Sequence, residues 1–175
     1  AAARELGTLL AKEKIGLVYG GARVGLMGAI ADTVLAAGGE VIGVIPKHLM
    51  TKEVAHQGLS DLRVVDSMHE RKALMAELSD GFIAMPGGFG TFEEFCEVIT
   101  WSQLGLHGKP TALLNVAGYY EPLLALADQG VREQFIREQH RGMVLSADEP
   151  GELLKLMREY KPLATPKWIR STAET

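Results

Sequence analysis

One cysteine, Cys96, is all that this 175-residue chain contains. That scarcity excludes an internal disulfide framework and a zinc site built on cysteines, and it suits a reducing cytoplasm. No basic block accompanies the 18 Lys and Arg set against 22 Asp and Glu, a net charge of −4. Neither a nucleic-acid polymer nor an anionic membrane surface is therefore favoured as a partner, and any phosphate must be held locally. No apolar run reaches membrane-spanning length, and Ala1 to Lys14 reads as an amphipathic helix rather than a secretory signal. The expectation is a soluble, cytoplasmic protein. Internal repeats and low-complexity tracts are also missing; only 161–175, with two prolines and several Ser and Thr, reads as a loosely ordered tail. What the chain does have is 47% hydrophobic residues, enough for one well-buried core, so a single domain over 1–175 is expected.

Short branched apolar runs alternate with helical patterns. Strands are predicted at Ile15–Tyr19, Val41–Ile45, Leu62–Val65, Gly81–Met85, Thr111–Asn115 and Met143–Leu145. Helices are predicted at Ala3–Glu13, Val24–Ala37, Ser67–Ser79, Thr91–Leu104, Tyr119–Gln129 and Asp148–Tyr160. Such βαβ alternation implies a three-layer, Rossmann-like α/β fold, a mostly parallel sheet with helices on both faces and ligands gathered at the carboxyl ends of the strands.

Two strand-to-helix junctions are rich in glycine. Pro86-Gly87-Gly88-Phe89-Gly90-Thr91-Phe92-Glu93-Glu94 follows a run with the composition of a buried strand. Pro86, having no N–H, cannot continue a central ladder, so the chain must turn there. Three glycines admit close approach of an anion, Thr91 is a good N-cap, and the first N–H groups of the next helix point into the turn. A carboxylate, Glu94, follows one helical turn inside. The other junction, Gly20-Gly21-Ala22-Arg23-Val24-Gly25-Leu26-Met27-Gly28, spaces Gly25 and Gly28 for close helix packing and leaves Gly20 and Gly21 to offer amides to a ligand oxygen. It departs from the dinucleotide fingerprint, and no acidic residue closes the following strand in the ribose position, so no NAD site is read here. Glycine-rich turns also serve purely to pack a strand against a helix. Two of them in one small sheet suggest one shared pocket.

Arg71 rises from an otherwise apolar helical stripe of Met68, Met75 and Leu78. It cannot shed its charge, and its five donors suit a carboxylate or phosphate; a structural ion pair or a snorkelling side chain is the alternative. On the helix opened by Thr91, the residues Phe92, Phe95, Cys96 and Ile99 form a face for the sheet, with Cys96 a packing residue rather than a nucleophile. Val98 and Trp101 continue the line of Glu94 on the opposite side. A second copy of the chain would cover that side, giving a homodimer through Thr91–Leu104; a covering loop of the same chain is the competing explanation.

In combination, Gly20 to Gly28, Met68-His69-Glu70-Arg71-Lys72 and Pro86 to Glu94 resemble the Lonely Guy (LOG) family, cytokinin-activating phosphoribohydrolases formerly labelled lysine decarboxylases. The resemblance covers nearly the whole chain. It implies hydrolysis of the N-glycosidic bond of adenosine 5′-monophosphate, or its N6-prenylated form, to the free base and ribose 5-phosphate, with no metal and no organic cofactor. It further implies that Arg71 and Glu94 are catalytic. Lys72, Gly87, Gly88, Phe89, Gly90 and Thr91 are implied as substrate contacts, with Gly20, Gly21, Glu53 and Thr100 at further binding positions. Two departures stand out. Ala22 replaces the third glycine of the family's Gly-Gly-Gly, which is tolerable if its φ is negative. The family's first strand and its Cys-Gly-Ser type loop are expected to be missing from this chain, which opens inside what would be the first helix.

Cleaving a ribosyl–base bond builds positive charge on the sugar, so a fixed carboxylate beside it favours the transition state over the ground state. Glu94 suits that role, and orienting the ribose hydroxyls or activating water are open to it as well. Arg71 can bind phosphate, orient Glu94 or favour departure of the purine. A pyridoxal-phosphate decarboxylase is rejected because no Schiff-base lysine or pyridinium partner is identifiable. A non-catalytic nucleotide or molybdenum-cofactor carrier on a related fold is the alternative function.

Overall fold

The computed structural model describes residues 1–50, 55–56, 58–59 and 61–163. The chain divides into two compact units, Ala1–Ser79 and Asp80–Thr175, and each is built from parallel strands flanked by helices.

The first unit runs α1 (Ala2–Lys12), β1 (Leu17–Tyr19), α2 (Gly25–Ala36), β2 (Val41–Pro46), β3 (Asp61–Val65) and α3 (Met68–Leu78). Its sheet has the order β1-β2-β3, all parallel, with Leu17 opposite Val41 and Ile42 opposite Asp61. Central β2 buries Val41, Val44 and Ile45, the near-continuous apolar run that a strand covered on both faces requires. Helix α2 packs on β1 and β2, and α3 on all three strands. Helix α1 lies on α2 through Leu6 and Leu10. Gly7 permits this approach, since a Cβ there would stand 3.1 Å from the Ile30 carbonyl oxygen. Helix α3 starts where the sequence places it: the Ser67 hydroxyl accepts from the Glu70 amide at 3.1 Å, and the Glu70 carboxylate accepts from the Asp66 amide at 2.8 Å. One orphan donor of the helix start, on Glu70, is thereby satisfied, and the residue before the cap, Asp66, is tied to the first turn.

The second unit runs β4 (Phe82–Ala84), α4 (Phe89–Gln103), β5 (Thr111–Leu114), α5 (Glu121–Arg132), α6 (Glu138–Arg141), β6 (Val144–Ala147) and α7 (Pro150–Glu159). Its parallel order is β4-β5-β6. All four residues of β5 are buried, and the core joins Leu113 of this strand to Phe95 and Tyr120. Each such large side chain contributes about 1.5–3 kcal/mol by leaving water.

Every predicted helix and strand has a counterpart, with ends displaced by up to a few residues. The differences are local. Helix α4 begins at Phe89 with Gly88 as its cap, so Thr91 is the third helical residue and not the N-cap. Cys96 is exposed rather than packed in the core. Val98 is 6% exposed and turns inward with Phe95 and Ser102, which removes it from the outward line of Glu94. Helix α6 was not expected, because four residues are too few to display a period. Residues 164–175 of the expected loose tail lie outside the described residues.

Candidate active site

Because all strands within a unit are parallel, the segments that follow them gather at one end of each sheet. In the first unit that end carries Gly20, just past β1, and the carboxyl half of β2. Arg71, four residues into α3, reaches both: its Nε donates to the Val44 carbonyl and its Nη2 to the Gly20 carbonyl, each at 3.1 Å. Nη1 lies 3.8 Å from the Met68 sulfur. Carbonyl acceptors satisfy donors without neutralising the charge, so the guanidinium is held rigidly while remaining a full cation. Its place depends on Gly20, where a Cβ would fall 2.0 Å from Nη2.

Gly20, Gly21 and Ala22 are all buried. Both glycines pack beneath other groups, Gly20 under the Arg71 guanidinium. Gly21, at φ +77°, fits against Ile45 and Leu62, and its carbonyl accepts from the His56 amide at 3.0 Å. Ala22 is fully buried and is not among the positive-φ residues, the condition under which a methyl replaces the third glycine without strain. Ala22 also forms an antiparallel bridge with Ala55. His56, buried, closes this clasp. The Gly58 amide donates to its Nδ1 at 3.1 Å, which leaves Nε2 to donate to the Asp32 carboxylate at 2.8 Å. Tyr19 lies nearby with its hydroxyl pushed up to about 12, first by burial and then by Asp32. Lys72 is half-buried beside Arg71, and Glu53 lies outside the described residues.

In the second unit the turn from Pro86 to Glu94 occupies the carboxyl end of β4. The first-turn amides of α4, on Phe89, Gly90 and Thr91, have no intrahelical acceptor, and the ladder starts with Phe92 N–H donating to the Gly88 carbonyl at 3.1 Å. A Cβ placed on Gly88 or on Gly90 would meet nothing within 4 Å, and neither residue has a positive φ. Packing and conformation therefore leave both positions free to carry a side chain, and Gly90 inside a helix costs about 1 kcal/mol relative to alanine. Gly87 differs, since the Thr91 hydroxyl sits 2.2 Å from where its Cβ would be.

Glu94 is half-buried on α4, three residues beyond Thr91 and so on nearly the same side, about 4.5 Å further along the axis. Thr100 faces roughly the opposite way from Thr91 and donates its hydroxyl to the Cys96 carbonyl at 2.7 Å; within this unit it is not brought to the turn. Phe89 is 91% exposed at the helix tip. The Cys96 thiol is held up by partial burial and then by Glu93, which opposes the thiolate a nucleophile needs.

Two tyrosines brace the turn from behind. Tyr120 donates its hydroxyl to the Met85 carbonyl at 2.6 Å, and Tyr119 to the Gly87 carbonyl at 2.5 Å. Burial, and after it Tyr119, pushes the Tyr120 hydroxyl up to about 12, so it keeps its proton and stays a donor. Asn115 sets the pair in place. Its Oδ1 accepts from the Tyr120 amide at 2.7 Å, and its Nδ2 donates to Glu121 and Asp148. Sequence reasoning missed Tyr119, Tyr120, Asn115 and His56, and the one available signal was Tyr119-Tyr120 directly after a predicted strand and a glycine. One hollow of this unit, of about 180 Å³ and lined by Leu104, Phe135 and His140 among others, lies toward the amino ends of its strands, away from the turn. Among the described residues no group of His, Cys, Asp and Glu is arranged to hold a metal ion.

Parallel sheets flanked by helices, with glycine-rich turns at the strands' carboxyl ends, define a Rossmann-like α/β protein. Two solved structures share this fold: the molybdenum cofactor binding protein of the phototrophic bacterium Rippkaea orientalis, with TM-score 0.66 and 23% identity over 90% of this chain and 85% of that one, and the molybdenum cofactor carrier protein of Chlamydomonas reinhardtii, with TM-score 0.64 and 21% identity over the same shares. At such identities the likeness is one of fold alone. Residues 27–157 match the family profile described as possible lysine decarboxylase. Much nearer in sequence are a probable cytokinin riboside 5′-monophosphate phosphoribohydrolase of Oryza sativa subsp. japonica, 55% identical over 91% of this chain and 71% of that protein, and a cytokinin riboside 5′-monophosphate phosphoribohydrolase of Arabidopsis thaliana, 52% identical over 92% and 76%. The chain belongs to this family, the Lonely Guy phosphoribohydrolases.

Proposed function

We infer that this protein is an N-glycosyl hydrolase that splits adenosine 5′-monophosphate, or its N6-prenylated form, into the free base and ribose 5-phosphate. The reading is carried by membership of the phosphoribohydrolase family at 55% identity, and supported by two glycines, Gly88 and Gly90, that nothing in their own surroundings demands. The family match over 27–157 includes residues of both units, and a single nucleotide-binding domain over 1–175 is proposed on that resemblance. The carrier alternative is less supported, since it rests on fold likeness alone.

The 5′-phosphate seats on the first-turn amides of α4 and the Thr91 hydroxyl, where the helix dipole favours an anion. Gly87, Gly88, Phe89, Gly90 and Thr91 are its contacts, and Gly20, Gly21, Glu53, Lys72 and Thr100 are proposed as further substrate positions on the family resemblance. As the C1′–N9 bond breaks, its electron pair leaves with the purine and the ribosyl carbon becomes cationic. The Glu94 carboxylate stabilises that charge more than it stabilises the neutral ground state. Water then bonds to C1′, and its proton is released as N9 takes one up. Arg71 is proposed as the second catalytic residue on the family resemblance, a cation held in place by the Val44 and Gly20 carbonyls. No metal or organic cofactor enters this scheme.

Incubation with AMP and with a prenylated AMP, followed by detection of free base and ribose 5-phosphate, tests the activity; bound but unchanged nucleotide would favour a carrier. Glu94→Gln is expected to lower turnover at least about a hundred-fold with nucleotide affinity nearly intact, and undiminished turnover would remove Glu94 from the mechanism. The half-buried Trp101 and the 56% exposed Leu106 support a homodimer through the region of α4. A cytoplasmic location accords with the single cysteine, and among the described residues no helix is long and apolar enough to cross a membrane.

A further inference from the structure

We propose that Tyr119 is a positioning residue for the phosphate end of the substrate, acting through the carbonyl of Gly87; this rests on the reading of the Pro86–Glu94 turn as the phosphate seat. The peptide between Gly87 and Gly88 joins two residues without side chains, and such a unit flips more readily than any other in a turn. No peptide bond among the described residues is cis, so the Gly87 carbonyl and the Gly88 N–H point in opposite directions across a rigid plane. By donating to the Gly87 oxygen at 2.5 Å, the Tyr119 hydroxyl fixes that plane and turns the Gly88 N–H away from itself. A Cβ on Gly88 would meet nothing within 4 Å, and the helix amides of Phe89, Gly90 and Thr91 follow directly.

The neighbouring bond from Tyr120 cannot do the same. Its acceptor is the Met85 carbonyl, and the peptide beyond belongs to Pro86, which has no N–H to aim. Tyr120 anchors the turn, while Tyr119 orients a donor in it. Tyr119 is itself held. Ala117 at φ 53° and Gly118 at φ 72° bend the chain back so that consecutive tyrosines both reach the turn, and the Phe92 ring stacks on Tyr119 at 6.5 Å and 26°. A left-handed alanine costs on the order of 1 kcal/mol, a local strain maintained by the Asn115 bonds around it.

The test is Tyr119→Phe, which keeps the ring and removes one hydroxyl from a residue that is 45% exposed. Inhibition of AMP hydrolysis by ribose 5-phosphate and by free adenine is measured for both proteins, together with KM and Tm. The expected result is an AMP KM and a ribose 5-phosphate inhibition constant both raised about three- to ten-fold, the scale of one net hydrogen bond. The adenine constant should be unchanged, and Tm should stay within about 2 °C. Equal ribose 5-phosphate inhibition in the two proteins, or equal weakening of both inhibitors, overturns the role of Tyr119. A wild-type protein that ribose 5-phosphate does not inhibit competitively overturns the phosphate seat itself and this role with it.

Discussion

Gly20 and Arg71 define each other. The guanidinium occupies the space that a side chain at position 20 would need, and it donates to that same residue's carbonyl. The atom in conflict is the end of a flexible side chain, so the fold can absorb a methyl there by releasing Arg71. Gly20→Ala is therefore expected to cost less than about 1.5 kcal/mol of stability but at least about ten-fold in turnover, by misplacing the cation proposed to be catalytic; thermal melts beside steady-state rates would separate the two. Arg71 stood out in the sequence because a cation interrupts an apolar helical stripe, although the carbonyls it meets, on Val44 and Gly20, lie 27 and 51 residues away. His56 and Tyr119 did not. Their partners lie 24 and 32 residues away, and no local period encodes which distant carbonyl or carboxylate a polar side chain will meet.

Among the elements, α4 carries most of the proposed contacts and most of the misreading. Its existence and its turn were evident from Pro86 and the glycines, yet Thr91 looked like the cap because Ser and Thr generally outrank Gly there. Gly88 takes the cap instead, and the helix gains a turn whose amides are framed by residues without side chains. Val98 faces inward because it lies three residues beyond Phe95 and shares its buried face. At its other end α4 is tied down by His107. The Lys109 amide donates to Nδ1 at 3.1 Å, and Nε2 donates to the Val98 carbonyl at 3.0 Å. Burial lowers this imidazole below its ordinary 6.5, the bond to Val98 opposes that, and Lys109 adds to the lowering. The unfolded chain thus binds a proton more readily than the folded one. Its contribution to stability is full above pH 6.5 and is lost as the pH falls from there through the lowered folded value. Apparent Tm should decline between about pH 7.5 and 5.5, and His107→Gln should flatten that slope while melting lower at neutral pH. An unchanged slope would assign the acid sensitivity elsewhere, to His140 for one, which burial also lowers.

At the scale of the molecule, alternating periods were sufficient to read parallel α/β architecture, because period and element length survive without knowledge of contacts. Assembly was not readable in the same way. The outward line of Glu94, Val98 and Trp101 loses Val98 to the core, and the case for a second copy now rests on Trp101 and Leu106. Sedimentation of the wild-type protein should give about twice 18.9 kDa, with Trp101→Glu shifting the species to one copy; a monomeric wild type would refute the dimer. The strand orders β1-β2-β3 and β4-β5-β6 bear on how the chain comes together. Among the described residues each strand pairs with its predecessor or successor along the backbone, so neither sheet waits for a segment to be threaded between two others. On a ribosome the amino-terminal set can close once residues through Ser79 have emerged, before the carboxyl-terminal set has been synthesised.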